Sequence, residues 1–179
     1  MSLPDISFTC VERFVKYVKI DTQSDPTSTT FPSTMKQLDL AKVLVEELKE
    51  IGAEEVELDE NGYVMATIPA TVDKDIPVIC FCSHMDTSPD SSGKDVKPML
   101  HENYDGRDLV LPDDPTQVIR LEDHPGLKNQ MGNAIITASG LTLLGADNKA
   151  GVAEIMDAAK YLLDHPMICL LYTSPSPRD

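Results

Sequence analysis

Apolar residues at helical spacing open the chain. Val11, Phe14, Val15 and Val18 fall on one face and predict a first helix from about Ser7 to Lys19. The stretch Asp21 to Thr30, rich in Asp, Ser and Thr, reads as a loop. Thr34 and Gln37 form a capping-box pattern that opens a second helix running to Gly52. Leu38, Ala41, Val45, Leu48 and Ile51 are its packed stripe, with Lys42, Glu46, Glu47 and Glu50 in water. Val56 to Leu58 and Val64 to Ile68 then read as strands around Asn61-Gly62, a dipeptide that favours a tight hairpin turn. Val78 to Ser83 is apolar at nearly every position, which predicts a central strand covered on both faces, with Cys80 and Cys82 buried in it.

Residues 88–131 are polar and broken by Pro89, Pro98, Pro112, Pro115 and Pro125, so they read as an irregular excursion. Ala134 to Ala138 and Leu141 to Leu144 follow as strands. Lys149 to Leu163 is predicted as a third helix, with Val152, Ile155, Met156, Ala159 and Leu162 inward. The order helix, helix, hairpin, strand, excursion, hairpin, helix predicts an α/β fold: a mixed sheet flanked by helices, spanning residues 1–167. Ile168 to Asp179 has neither periodicity nor a partner element and reads as a non-native or disordered tail. Its stretch from Leu170 onward resembles translated sequencing adapter joined to a truncated reading frame.

Composition narrows the function. A chain of 179 residues suffices for one domain with a real core. Thirty acidic residues against 15 Lys and Arg give a net charge of −15, which opposes nucleic acid partners. The start shows no cationic stretch leading into an apolar segment, and no run of about 18 apolar residues occurs, so no membrane partner and a cytoplasmic location are expected. The four cysteines, Cys10, Cys80, Cys82 and Cys169, lack Cys-x-x-Cys spacing and are expected to be reduced.

The chemistry concentrates at two strand ends. His84 and Asp86, two apart, point to the same side of an extended chain just beyond the apolar run. Asp147 sits at a turn before the third helix, between Gly145 and Gly151. An imidazole and carboxylates at the carboxyl ends of buried strands are what a hydrolytic metal centre requires, because they hold a divalent cation and leave a position open. His84 and Asp147 are the candidate metal ligands, with Asp147 able to bridge two ions. Asp86 is the natural acceptor for the other ring N–H of His84, although the sequence leaves its partner open. Taken singly, His-x-Asp is commonly surface hydrogen bonding and a pre-helix Asp an N-cap. Their co-occurrence favours the metal reading. His101 and His124 read as solvated, and His165 as a partner for helix-end carbonyls. Asp105, Asp108, Asp113, Asp114, Glu122 and Asp123 lack a calcium-loop pattern, and neither Gly-x-Ser-x-Gly nor a phosphate-binding glycine loop is present.

Ser83-His84-Met85-Asp86-Thr87 with Leu143-Leu144-Gly145-Ala146-Asp147-Asn148-Lys149-Ala150-Gly151 resembles the metallo-exopeptidases related to glutamate carboxypeptidase and aminoacylase. Within them the chain looks like the tripeptide aminopeptidases. That closer match rests on Pro32-Ser33-Thr34, on Asn61 to Ala70, and on the long segment between the motifs. The resemblance covers roughly Val11 to Met167 and implies the N-terminal part of a zinc exopeptidase catalytic domain. It implies two zinc ions per complete site, with His84 binding one, Asp147 bridging both and Asp86 the catalytic acidic residue beside the first ligand. The implied substrate is a small peptide. Asn148 stands where many relatives have Asp. The Glu-Glu pair, a further acidic ligand, a distal His and an inserted dimerisation domain would all come later. The chain alone is therefore expected to be inactive and marginally stable, and a homodimer would form only through the missing domain. Competing readings are a related dipeptidase, carboxypeptidase or acylase, and a non-catalytic binding module on the same scaffold.

Overall fold

The computed structural model of the chain describes residues 8–73 and 77–168. Three helices supply its core: α1 (Cys10–Val18), α2 (Gln37–Glu50) and α3 (Ala146–Asp164). Phe14, Tyr17 and Val18 of α1 meet Leu40, Leu44 and Leu48 of α2 and Val152, Ala153 and Met156 of α3, with Val96 from the excursion. The helices are also tied through polar groups. Tyr17 donates to Glu47 Oε2 at 2.5 Å, and Arg13 pairs with the same carboxylate. Asp157, buried on α3, accepts from the backbone N–H of Thr9 at 2.9 Å and from its hydroxyl at 2.5 Å.

The second helix departs from its predicted details. Its buried stripe is Leu40, Ala41, Leu44 and Leu48, rotated from the predicted one, with Leu38, Val45 and Ile51 half-buried. The predicted capping box does not form. Lys36 occupies the N-cap, and the Thr34 hydroxyl instead donates to the carbonyl of Gln23 at 2.7 Å, so the residue serves the preceding loop. The predicted start of the first helix at Ser7, and the tail from Cys169 onward, lie outside the described residues.

The α/β class holds, but the described strands form three separate antiparallel pairs rather than one mixed sheet. β1 (Glu54–Leu58) pairs with β2 (Val64–Thr67) through the predicted turn, where Gly62 takes a φ of +90° and Asp59 accepts from the N–H groups of Asn61 and Tyr63. This hairpin packs on α2. β3 (Met99–His101) pairs with β6 (Ile135–Thr137), and β4 (Leu109–Val110) with β5 (Val118–Ile119). A short 3-10 helix, Pro125–Gln130, completes the excursion, which is as irregular as its prolines predict. Leu141 to Leu144 forms no strand. Its Leu143 N–H donates instead to the carbonyl of Ser92.

The largest departure concerns Val78 to Ser83. It is not a strand, and Val78, Ile79, Cys80, Phe81 and Cys82 are exposed. A strand is held by ladder hydrogen bonds to neighbours, which an apolar run does not itself supply. Among the described residues no strand pairs with it. No helix among the described residues is long and apolar enough to cross a membrane.

Candidate metal centre

Two short segments meet at the end of this unpaired run. The first, Ser83 to Thr87, is held from behind by Asp21 to Ser24. Thr22 donates its hydroxyl to the carbonyl of Met85 at 2.7 Å and accepts the N–H of Thr87 at 3.2 Å, while Ser24 N–H donates to the Thr87 carbonyl at 2.9 Å. The second segment is the start of α3, where Asp147 and Asn148 have non-helical backbone angles, so the Asp147 side chain leaves the helix axis. Gly145 precedes them with a φ of +76°, and a Cβ there would lie 2.9 Å from Thr87 Cγ2. Only glycine meets both demands. Ser83 donates to the carbonyl of Asn148 at 2.8 Å, and a Cβ on Gly151 would lie 2.9 Å from that Ser83 hydroxyl. The glycines thus let the two segments approach.

The result is a bracketed imidazole. His84 Nδ1 lies 3.2 Å from Asp86 Oδ1, and Nε2 lies 3.1 Å from Asp147 Oδ1. The ring is half exposed and Asp147 is 95% exposed, so the group opens outward into a cleft lined by His84, Ser88, Leu143, Gly145, Ala146 and Asp147. Partial burial works against charge on His84. The hydrogen bond to Asp147 and the contacts with Asp86 outweigh it, and the imidazole titrates above its ordinary value. Each ring nitrogen thus faces a carboxylate oxygen. A divalent cation would replace the Nε2 proton, with the Nδ1–H still donating to Asp86.

The donor set fits this exchange. Zinc bonds of about 2.0–2.2 Å to nitrogen and oxygen set two ligands of one tetrahedral centre about 3.4 Å apart, close to the separation of Nε2 and Oδ1. His84 and Asp147, 3.1 Å apart and hydrogen-bonded to each other here, would suit two positions of such a centre, and Asp86 lies where it could accept from Nδ1. Among the described residues no group of three or more His, Cys, Asp or Glu side chains could hold a metal.

The remaining sequence candidates lie elsewhere. His101, read as solvated, instead shares a hydrogen bond with the Thr137 hydroxyl at 2.9 Å across the β3–β6 pair. His165 stacks near Tyr161 and contacts its carbonyl at 2.7 Å, as its helix-end position predicts. His124 is exposed. The acidic residues of the excursion serve local contacts, Asp105 with Arg107, Asp108 with Arg120 and Asp113 with Lys97.

Sequence reasoning missed Thr22 and Lys149. Lys149 is almost wholly buried, and its ammonium donates to the carbonyl of Ile20 at 2.7 Å. Burial pushes it down to about 8, against the pull of Asp21. A signal was present: Lys149 shares a helical stripe with Val152, Ala153 and Met156, an inward position for a cation.

No protein-family model matches the chain. The chain is 59% identical over 158 residues to peptidase T of Geobacillus sp. (strain WCH70), which covers 88% of the chain and 38% of that protein. It is 58% identical over 160 residues to peptidase T of Alkaliphilus oremlandii (strain OhILAs), covering 88% and 39%. The peptidase T of Clostridium acetobutylicum is 56% identical over 158 residues. A crystal structure of a tripeptidase from Staphylococcus aureus subsp. aureus Mu50 matches with a TM-score of 0.55 at 21% identity, covering 87% of this chain and 32% of that one, a likeness of fold. The chain spans about two fifths of the length of the curated relatives it matches. Over 88% of its own length, the chain is thus a homologue of part of peptidase T.

Proposed function

We propose that the protein to which this segment belongs is a zinc-dependent tripeptide aminopeptidase of the cytoplasm, releasing the N-terminal residue of tripeptides. The observation that supports it most is the bracketing of the His84 ring, with Asp86 on Nδ1 and Asp147 at Nε2. In this reading His84 and Asp147 are metal ligands, and two zinc ions occupy the complete site. Bound zinc supplies Lewis acidity toward a peptide carbonyl. Asp86 keeps the proton on Nδ1, so that the lone pair of Nε2 faces the cleft. Asp147, open to solvent, leaves its second oxygen reachable from the cleft side. In this reading the general base, the remaining ligands and any homodimer contact would correspond to the part of the relatives that this chain does not match.

The test is a chimera in which residues 8–168 replace the matching segment of the Geobacillus relative. Zinc-dependent hydrolysis of tripeptides with a free amino terminus is expected, with losses of at least about 100-fold in His84→Ala and Asp147→Asn. A folded chimera that hydrolyses only N-blocked substrates would replace this reading by a related carboxypeptidase or acylase. A folded chimera without any hydrolysis would remove it. The 179-residue chain alone is expected to be inactive, and turnover by it would overturn that expectation.

A further inference from the structure

The segment Ile20 to Ser24 touches both halves of the centre. On one side Thr22, fully buried, donates to the carbonyl of Met85 and accepts the N–H of Thr87. Met85 lies between His84 and Asp86, so this pair of bonds fixes the turn that presents both. On the other side the Ile20 carbonyl accepts the ammonium of Lys149 at 2.7 Å, two residues beyond Asp147. Asp21, between the two anchor points, pairs with Lys36 at 3.0 Å and so fastens the segment to the start of α2. Ser24 adds a second grip, since its N–H and hydroxyl both donate to the Thr87 carbonyl, at 2.9 and 3.0 Å.

We propose that Ile20 to Ser24 is a strap that sets the separation of His84 Nε2 and Asp147 Oδ1, with Thr22 and Lys149 as positioning residues for the metal pair. The inference rests on the zinc reading above for its purpose, while the spatial claim stands on the hydrogen bonds alone. A loop has few ways to hold two catalytic segments at fixed distance. Here the main chain does so by offering a carbonyl to one half and a single parallel bridge, Gln23 to Thr87, to the other. Both anchoring side chains are buried polar groups whose partners are main-chain carbonyls, which fixes their rotamers. The strap also explains why a lysine occupies an inward helical position: an apolar residue there could not hold Ile20.

The experiment uses the 179-residue chain and three variants. Thr22→Val removes the hydroxyl, Thr22→Ser keeps it, and Lys149→Met keeps length without the ammonium. In metal-free protein the ring 15N shifts of His84 are read at one pH, with Asp147→Asn as the reference for a lost Nε2 contact. T22V and K149M are expected to move the Nε2 resonance in the same sense as that reference, and T22S to remain with the parent. In a cobalt titration, the absorption that depends on His84 should require about tenfold more metal in T22V and K149M, and T22S should stay within about twofold of the parent.

Unmoved ring shifts in the folded T22V and K149M chains would overturn the strap. If one variant fails to fold, the other decides. Loss of helical circular dichroism in both would also overturn it, since the segment would then be a general support of the fold. A folded chimera, with residues 8–168 in place of the matching Geobacillus segment, that shows the ring-shift pattern but binds no cobalt would keep the strap and remove the zinc reading, so the two failures are distinguishable.

Discussion

The helical core and the run 78–83 have their burial reversed relative to their composition. The core holds Thr22, Lys149 and Asp157 out of water, whereas Val78, Ile79 and Phe81 lie in it. Every one of those three buried polar groups has a partner, as such groups require. The apolar run has side chains suited to an interior but no strand alongside among the described residues. Burial is therefore decided by the availability of matching neighbours more than by hydropathy. A polar group with a carbonyl in reach goes inside, and an apolar strand without a ladder does not.

Five substitutions test this contrast. The largest effect should come from Leu40→Ala, which empties a fully buried site among the three helices and should cost about 2–5 kcal/mol in chemical denaturation. The matching truncation Phe81→Ala should change stability by no more than about 0.5 kcal/mol. Equal effects would erase the distinction between the regions. Next comes Asp157→Ala, which strands the N–H and hydroxyl of Thr9 and should cost about 1–3 kcal/mol by the same measurement. A neutral result there would mean that the buried polar bonds contribute nothing to the core.

Acid sensitivity should be smaller. Burial works against charge on Asp21, but the N–H of Gln23 and the Lys36 ammonium outweigh it and hold its carboxyl below the usual range. Because the folded value is the lower one, the contribution is complete above the unfolded value near pH 4 and is lost as pH falls through the folded value. Asp21→Asn should therefore lower the melting temperature at neutral pH and flatten its fall between about pH 5 and pH 3. A parallel offset at every pH would show that the charge is not the cause. The smallest change in fold stability should accompany Phe81→Ser, which should leave the melt in place while reducing binding of a hydrophobic dye. Unchanged dye fluorescence would mean that the exposed run is not the accessible apolar surface.

What could be read from the sequence divides along the same line. Local periodicity placed α1, α2 and α3, and Asn61-Gly62 placed the β1–β2 hairpin, because each depends on residues close in sequence. The sequence groups His84, Asp86 and Asp147 at one locus but leaves the partner of Asp86 open; the structure sets Asp86 beside Nδ1 and Asp147 beside Nε2 of His84. Properties that depend on distant neighbours were not legible. Thr34 caps nothing because Gln23 claims its hydroxyl, and the stripe of α2 rotates onto Leu40 and Leu44 to meet α1 and α3. Cys80 and Cys82 were assigned to an interior that the described strands do not build. Thr22 passed as a loop residue because its value lies in the carbonyl of Met85, which periodicity does not reveal.

The bond between Thr9 and Asp157 joins residues 148 positions apart. On a ribosome adding about 5–20 residues per second, the threonine is made roughly 7–30 s before the aspartate that secures it. The Lys149 contact to Ile20, across 129 positions, imposes a similar delay. During that interval the first helix has only α2 to lean on, and its apolar face toward α3 stays uncovered. The nascent chain is thus open to chaperone capture through α1, and translation speed before α3 emerges becomes a determinant of yield.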